Sequence, residues 1–526
     1  MSVHMDPLTV AKTMAKRGML APGLPHRQIT QLGALHRWGF GLAGELRQAA
    51  ARSPKTVAVI DEAKGSTTYS ELLARSERVA AVLLERGYQP GDRLGLLARN
   101  HVGAIEVMCA TAAIGVDVVL GNTGLGASQL ALIAEQQELK GIVYDDEFAE
   151  HVSALDAGVE RMSESELAGL VEAAPQPRKL TPPDRVARTI ILTSGTTGTP
   201  KGAARKTPGG FGPLISIIDR IPLHAHDRVL ISAPLFHTWG YAAMQLTIAM
   251  RGTIVLQRRF DAEAARAALE EHQPEAMFAV PVMLQRMMEL PSDPSARKRR
   301  KLRVVATSGS AYPSGFTTQF MDEYGDVLYN LYGSTEASWV CIATPKDMRR
   351  DPDTAGTPPL GTAVRILDAD GREVPKGETG RIFCGNEMIF EGYTNGQNKE
   401  FLDGLVSTGD MGYERDGLFF VAGRDDDMVI SGGENVYPME VESLLVQHPA
   451  VREASVVGIP DPEFGQRLAA FVALAPGEEL TADEVKDLVR ANRARHCVPR
   501  EVVFLDELPR NATGKVLNRE LKKQFS

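Results

Sequence analysis

Apolar residues recur every three to four positions over Ser70–Arg86. Leu72, Leu73, Val79, Val82 and Leu83 share one broad face there, and the spacing predicts an amphipathic helix. Ser70 is placed as its N-cap and Gly87 as its stop. Short apolar runs follow at Arg93–Ala98, Val116–Leu120 and Gly141–Tyr144. Each is read as a strand, with helical spacing between them at Ile105–Ala113 and Ser128–Glu138. The alternation returns in strands expected at Arg228–Ser232, Thr253–Leu256, Ala276–Ala279 and Arg303–Ser308. A strand–helix–strand rhythm of this kind predicts a mainly parallel sheet with helices on both faces. The longest apolar stretch, Val102–Leu120, contains Glu106 and Asp117, so it reads as a buried helix plus a strand and not a membrane span.

Beyond about residue 355 the pattern shortens. Asp370-Gly371, Lys376-Gly377 and Asp416-Gly417 suit tight turns between short strands, and a β-rich subdomain is expected. After the acidic stretch Asp425-Asp426-Asp427 the pattern changes again. Helices are expected at Pro438–Val446 and Ala482–Ala491, and strands at Ser455–Ile459, Ala469–Leu474 and Glu501–Leu505. The fold class is therefore α/β. A large N-terminal domain (51–425) holds parallel α/β subdomains and the β-rich one. A small, mobile α+β C-terminal domain (427–526) follows a joint near Asp426.

Composition adds exclusions. With 58 Lys+Arg against 67 Asp+Glu, the 526-residue chain has a net charge of −9, so no nucleic-acid partner is expected. Its 4 cysteines are scattered and suggest neither a zinc site nor a disulfide framework, which fits a cytoplasmic setting. Residues 1–50 form a basic extension with Lys12, Lys16, Arg17, Arg27, Arg37 and Arg47, interspersed with Met14, Met19, Leu20, Leu32, Leu35 and Trp38. The plainer reading packs this segment on the main body. Peripheral membrane contact is the second reading. A second basic run, Arg297–Lys301, is read as a solvated turn before a strand. A homodimer is left open.

The strongest chemical signal is Thr193-Ser194-Gly195-Thr196-Thr197-Gly198-Thr199-Pro200-Lys201-Gly202, directly after the apolar strand Thr189–Leu192. Its glycines allow close backbone approach to a ligand. Its hydroxyls and N–H groups can donate to phosphate oxygens, and Lys201 adds a positive charge. The other phosphate-loop pattern, G-x-x-x-x-G-K-[ST], fails here, because Pro200 precedes the lysine and Gly202 follows it.

This loop resembles the phosphate loop of the adenylate-forming superfamily, which includes acyl- and aryl-CoA synthetases. Further segments agree in order: Tyr332-Gly333-Ser334-Thr335-Glu336, Ser407-Thr408-Gly409-Asp410, Gly423-Arg424, Ser431-Gly432-Gly433-Glu434-Asn435, and Pro509–Lys515. The resemblance implies ATP, Mg²⁺ and coenzyme A as cofactors or co-substrates. It assigns Thr193, Ser194, Gly195, Thr197, Gly198 and Lys201 to the phosphates, with Thr196 and Glu336 also at the metal. Ser310, Ala311, Asn330, Tyr332, Gly333 and Thr335 are assigned to the nucleotide. Tyr332 offers a face for adenine and Asn330 an amide for its amino group. Asp410 can accept the ribose hydroxyls, and Arg424 can reach the ribose or α-phosphate. Each also has a plainer reading: core aromatic, turn former or surface ion pair. Lys515 is implied to be the catalytic lysine of adenylation. Gly432 and Gly433 are implied to clear the path of the CoA arm after the C-terminal domain rotates about Asp426.

The acid is read from Pro234–Tyr241. Amino-acid-activating relatives place an Asp near the position of His237, whereas this chain has no carboxylate between Ser232 and Arg259. An amino acid is therefore disfavoured, and His237 resembles a pocket residue of acyl- and aryl-CoA synthetases. Trp239, Ala242, Ala243, Met244, Ile248 and Met250, with the small residues Ser308–Ala311, are expected to wall an acyl tunnel. Met283, Leu284, Met287 and Met288 are either a deformable wall or plain core. The expected reaction is ATP-dependent activation of a medium- to long-chain fatty acid to acyl-AMP, then transfer to CoA. An aryl or branched acid, and an acyl-AMP ligase that loads a carrier protein, are the alternatives.

Overall fold

The computed structural model describes residues 5–174, 180–193, 201–205, 207–292, 301–313, 315–425, 427, 429–431, 434–461, 465–511 and 514–525. Among these, the first half folds on two sheets. An eight-stranded sheet runs, in spatial order, through Cys341–Ala343, Leu328–Tyr332, Val304–Ser308, Ala276–Ala279, Arg228–Ile231, Thr253–Leu256, Val57–Asp61 and Gly65–Thr68. All its neighbours are parallel except the pair at each edge. A six-stranded sheet runs Glu160–Ser163, Gly141–Tyr144, Arg93–Leu97, Asp117–Leu120, Thr189–Thr193 and Lys201–Arg205, with only its last pair antiparallel. Three expected strands, Gly141–Tyr144, Thr253–Leu256 and Ala276–Ala279, keep their boundaries.

Helix Val102–Ile114 is apolar on nearly every side because it lies inside the core between the sheets. Its Glu106 is paired with Arg75 at 2.5 Å, and Asp117 holds Arg185 through two 2.7 Å contacts. One expected cap is corrected. The helix beginning at Tyr69 is capped by Thr68, which forms a reciprocal capping box with Glu71, while the Ser70 hydroxyl bonds the carbonyl of Pro54.

A five-stranded antiparallel sheet follows, from Ala363–Leu367 to Leu418–Arg424. Asp416-Gly417 makes its tight hairpin, with φ of 51° and 77°. The last sheet, also of five strands, spans Val429–Ser431 to Glu501–Phe504. It packs its own core against the helices Pro438–Leu445 and Ala482–Asn492.

The N-terminal segment is helical: α1 (Pro7–Lys16), α2 (Pro25–Trp38) and α3 (Leu42–Arg52). Buried Arg17, just after α1, donates to the carbonyls of Ile218 and Asp219 at 2.8 and 3.1 Å, docking the segment on the main body. Helix α3 is almost wholly buried. In the basic run 297–301 only Lys301 lies within the described residues.

Candidate active site

A cavity of about 1530 Å³ opens where the strand ends of the first half meet the β-rich sheet and the C-terminal domain. One end of it is lined by Asn330, Leu331 and Tyr332 of the strand Leu328–Tyr332, and Leu331 also joins the hydrophobic core. The Tyr332 hydroxyl donates to Asp410 Oδ2 at 2.6 Å. Asp410 and Arg424 are cross-strand partners, and Arg424 Nη1 stands 3.6 Å from the other carboxylate oxygen. Burial pushes the Asp410 carboxyl above its ordinary range. The Tyr332 hydrogen bond and the charges of Arg424, Lys515 and Lys399 pull it back. Burial, and next to it the Asp410 charge, hold the Tyr332 proton in place.

Gly333 begins the next turn, where a β-carbon would meet the carbonyl of Ser338 at 2.3 Å, so the chain can reverse there only with glycine. Beyond it, the Thr335 and Thr238 hydroxyls lie 3.2 Å apart. The Glu336 carboxylate accepts from the Tyr393 hydroxyl at 2.5 Å. Lys201 Nζ sits 5.5 Å from the centre of the same tyrosine ring. Lys201 opens the strand that pairs with Thr189–Thr193, in the register Thr193↔Lys201. Those two residues hold the ends of the phosphate-loop motif. Ser194, Gly195, Thr196, Thr197 and Gly198 lie outside the described residues, as do Asp426, Gly432 and Gly433. Ser310 and Ala311 line the cavity after strand Val304–Ser308.

His237 is the N-cap residue of helix Thr238–Ala249. Its Nδ1 is buried without a hydrogen-bond partner. Burial first, then the nearby charges of Arg205 and Lys515, bring the imidazole down to about 4, so it is neutral near pH 7. Lys515 lines the same cavity from the C-terminal domain, its backbone N–H bonded to Asn511 Oδ1 at 2.9 Å. Its loop is pressed on helix Pro281–Met288: a β-carbon on Gly514 would come within 2.4 Å of Val282. Arg510 braces the loop, donating to the Gly514 carbonyl at 2.6 Å and to Glu453 at 2.7 Å.

From His237 the cavity follows one face of helix Thr238–Ala249, past Trp239, Ala242, Gln245, Leu246 and Ala249. Leu214 and Ile217 stand in the same wall. Ala243, Met244, Ile248 and Met250, expected in the tunnel, face the hydrophobic core instead. Met283, Leu284 and Met287 are buried core, with Met288 packed against them. The far wall was not legible in the motifs. Met14, Met19, Leu20, Leu32 and Leu35 of the N-terminal segment line it, with Glu45 and Gln48 of α3. Glu45 is 8% exposed and accepts a 3.3 Å bond from Gln245, and burial raises its carboxyl well above the usual range. Tyr393 and Arg205 were also missed. Both lie close to named motif residues, but their partners, Glu336 and Ser338, are far away in sequence.

Glu336 is the described residue suited to Mg²⁺. It presents a carboxylate held in orientation by Tyr393, and Mg²⁺ commonly takes one or two protein carboxylates beside substrate phosphates. The cluster His101–Asp145–Glu164 is different. Arg258 stands 2.9 and 3.1 Å from its two carboxylates, which makes it an ion-pair network.

One cleft thus joins a tyrosine beside a paired carboxylate, a lysine from the C-terminal domain and a largely apolar helix face. Comparison with known proteins gives the family. Residues 46–394 match the AMP-binding enzyme family, and residues 440–515 match its C-terminal domain. The chain belongs to this family, and the expectation of an AMP-forming acid–thiol ligase of the adenylate-forming superfamily is met. It is 32% identical to a feruloyl-CoA synthase of Amycolatopsis sp, over 87% of this chain and 94% of the relative. It is 32% identical to a 2-succinylbenzoate–CoA ligase of Geobacillus sp. (91% and 96%) and 30% identical to the fatty acid–[acyl-carrier-protein] ligase ScoC of Streptomyces coeruleorubidus (90% and 95%). Among solved structures, ATP-bound MatB from Rhodopseudomonas palustris superposes with a TM-score of 0.84 at 27% identity, covering 92% of this chain and 99% of that one.

Proposed function

We propose that the protein activates a carboxylic acid with a medium- to long-chain acyl tail and transfers the acyl group to CoA. The observation that carries the choice of acid is the length of the tunnel. It follows its helix from His237 to Ala249, 12 residues on, or about 18 Å at 1.5 Å per residue. One aromatic ring does not fill that length.

In this reading Tyr332 stacks on adenine, Asp410 accepts the ribose hydroxyls, and the phosphates lie toward Lys201 and Glu336. The acid enters with its carboxylate at His237 and its tail along Ala242 and Leu246. A carboxylate oxygen bonds the α-phosphorus while the bond to the bridging oxygen breaks, releasing pyrophosphate. The Lys515 ammonium offsets the repulsion between carboxylate and phosphate, while neutral His237 adds no competing charge. Mg²⁺, when bound at Glu336, would supply neutralising charge to the departing phosphates. The small domain then turns about its joint near Asp426 and withdraws Lys515. The CoA thiol attacks the acyl carbon, its proton is lost, and AMP leaves with the former carboxylate oxygen.

A second reading, an aryl acid, is favoured by what the feruloyl and succinylbenzoate relatives are named for. The carrier-loading relative keeps a protein acceptor in view. The test is incubation with ATP, Mg²⁺ and a panel of fatty and aryl acids, with CoA, with a carrier protein, or with neither. Thioester formation with CoA on long-chain acids supports the proposal. Turnover confined to aryl acids gives the second reading, and AMP release without acyl-CoA overturns the CoA step.

A further inference from the structure

Among the described residues, ten large apolar side chains are exposed, and five of them fall between Leu8 and Leu32: Leu8, Leu20, Leu24, Ile29 and Leu32. They are not the inner face of the N-terminal helices. Val10, Met14 and Leu35 supply that face, packed on the body. Leu8 shares the outer face of α1 with Lys12 and Lys16 at four-residue spacing. Ile29 (72% exposed) and Leu32 (64%) stand three apart on α2. A solvated helix face carries polar side chains at such positions. Here exposed apolar groups alternate with the exposed cations Lys12, Lys16 and Arg37, and the one acidic residue between positions 5 and 41, Asp6, is occupied capping α1.

Leu20 and Leu32 also line the acyl cavity, so the cavity reaches the surface within this patch. We propose that α1, α2 and the turn between them form a docking surface for an anionic lipid bilayer, seated over an outer mouth of the acyl cavity. Charge selects this occupant. The patch is cationic on a chain whose net charge is −9, and a second copy of it would bring the same cations face to face. Apolar side chains beside basic ones are what an interfacial helix needs to enter the headgroup region. The docking goes beyond the proposed reaction. Only the use of the mouth by the acid rests on the long-chain reading, and binding is measured without turnover.

The test is co-sedimentation of the full-length protein with vesicles of phosphatidylcholine alone or mixed in equal parts with phosphatidylglycerol. Binding to the mixed vesicles that weakens with added salt is expected. The double variant Leu24→Glu, Ile29→Glu, at positions outside the cavity wall, should lose about tenfold or more of that binding. Its thermal midpoint and its turnover of a short soluble acid should be unchanged. Equal partition of wild type and variant would overturn the proposal, as would partition of the wild type indifferent to phosphatidylglycerol. A wild-type dimer in vesicle-free buffer that the double variant splits would assign the face to a second copy instead.

Discussion

Tyr332→Phe isolates the polar half of the nucleotide end. The ring that would stack on adenine stays, and the hydroxyl that donates to Asp410 at 2.6 Å goes. Asp410 is buried, its carboxyl already pushed up by desolvation, and the Tyr332 hydrogen bond is the largest influence opposing that push. A hydrogen bond to a charged group contributes about 1.5–3 kcal/mol. At 1.36 kcal/mol per pH unit, its loss should move the acid limb of kcat/KM for ATP upward by about 1–2 pH units. The sign follows from the acceptor role. Removing the donor destabilises the carboxylate, so Asp410 takes its proton at higher pH and can no longer accept from both ribose hydroxyls. The assay is acid-dependent pyrophosphate exchange from about pH 5 to 9, with Tyr332→Ala as the variant that loses the ring as well. An acid limb superimposable on wild type would show that Tyr332 does not hold Asp410 ionised.

Lys515→Ala should lower pyrophosphate exchange by about a hundredfold or more while thioester formation from supplied acyl-AMP persists; equal loss of both half-reactions would contradict the division of labour. Ala249→Phe fills the deep end of the tunnel. It should cut kcat/KM about tenfold or more for acids reaching that depth and spare short ones, since overfilling a packed site costs about 1–3 kcal/mol; an unchanged chain-length profile would argue against the tunnel. Glu442, raised to about 7 chiefly by burial, keeps its proton in the folded state over a pH range where the unfolded chain, at 4.5, has lost it. Stability should therefore fall as pH rises from about 4.5 to 7, by at most about 3 kcal/mol and less for a partly buried group. Glu442→Gln should flatten that slope in thermal midpoints measured across the range.

What the sequence made legible follows from where the information is stored. Strands such as Gly141–Tyr144 and Thr253–Leu256 are short apolar runs bounded by turns, so their limits are local. The nucleotide motifs are local too. Tyr332, Glu336 and Asp410 carry chemistry that their own short segments announce. The bonds joining them are not local. Tyr332 meets Asp410 across 78 positions, and Glu336 meets Tyr393 across 57, so neither pairing has a periodic signature. The Thr68 cap was readable in principle, as Thr-x-x-Glu, but the adjacent Ser70 offered a competing hydroxyl. The methionine stripe 283–288 could not be sorted between cavity and core by spacing, because both uses need the same helical period.

The same distinction explains why the reaction could be read and the acid could not. The end proposed for the nucleotide is held by a few polar pairs: a phenol on a carboxylate, an arginine opposite it, and a second phenol on Glu336. In the proposed reaction, the junction where the two substrates meet uses one cation from the C-terminal domain and one neutral ring. Burial keeps His237 uncharged there, and Lys515 contributes to the same effect. The acid end is assembled from surfaces that carry no motif. One face of the 238–249 helix meets helices whose first residues precede the matched family region at residue 46. Buried Glu45, bonded to Gln245 and near Gln48, puts a hydrogen-bonding spot in this wall. That spot lies about 12 Å beyond His237, the rise of the eight residues from His237 to Gln245. An acid that reaches it pays a desolvation penalty if it is bare hydrocarbon and gains a partner if it carries oxygen there. On the proposed function, substrate choice follows the fit of the tail to segment 5–52, and substitutions there should change which acid is used in a substrate panel while leaving the KM for ATP unchanged.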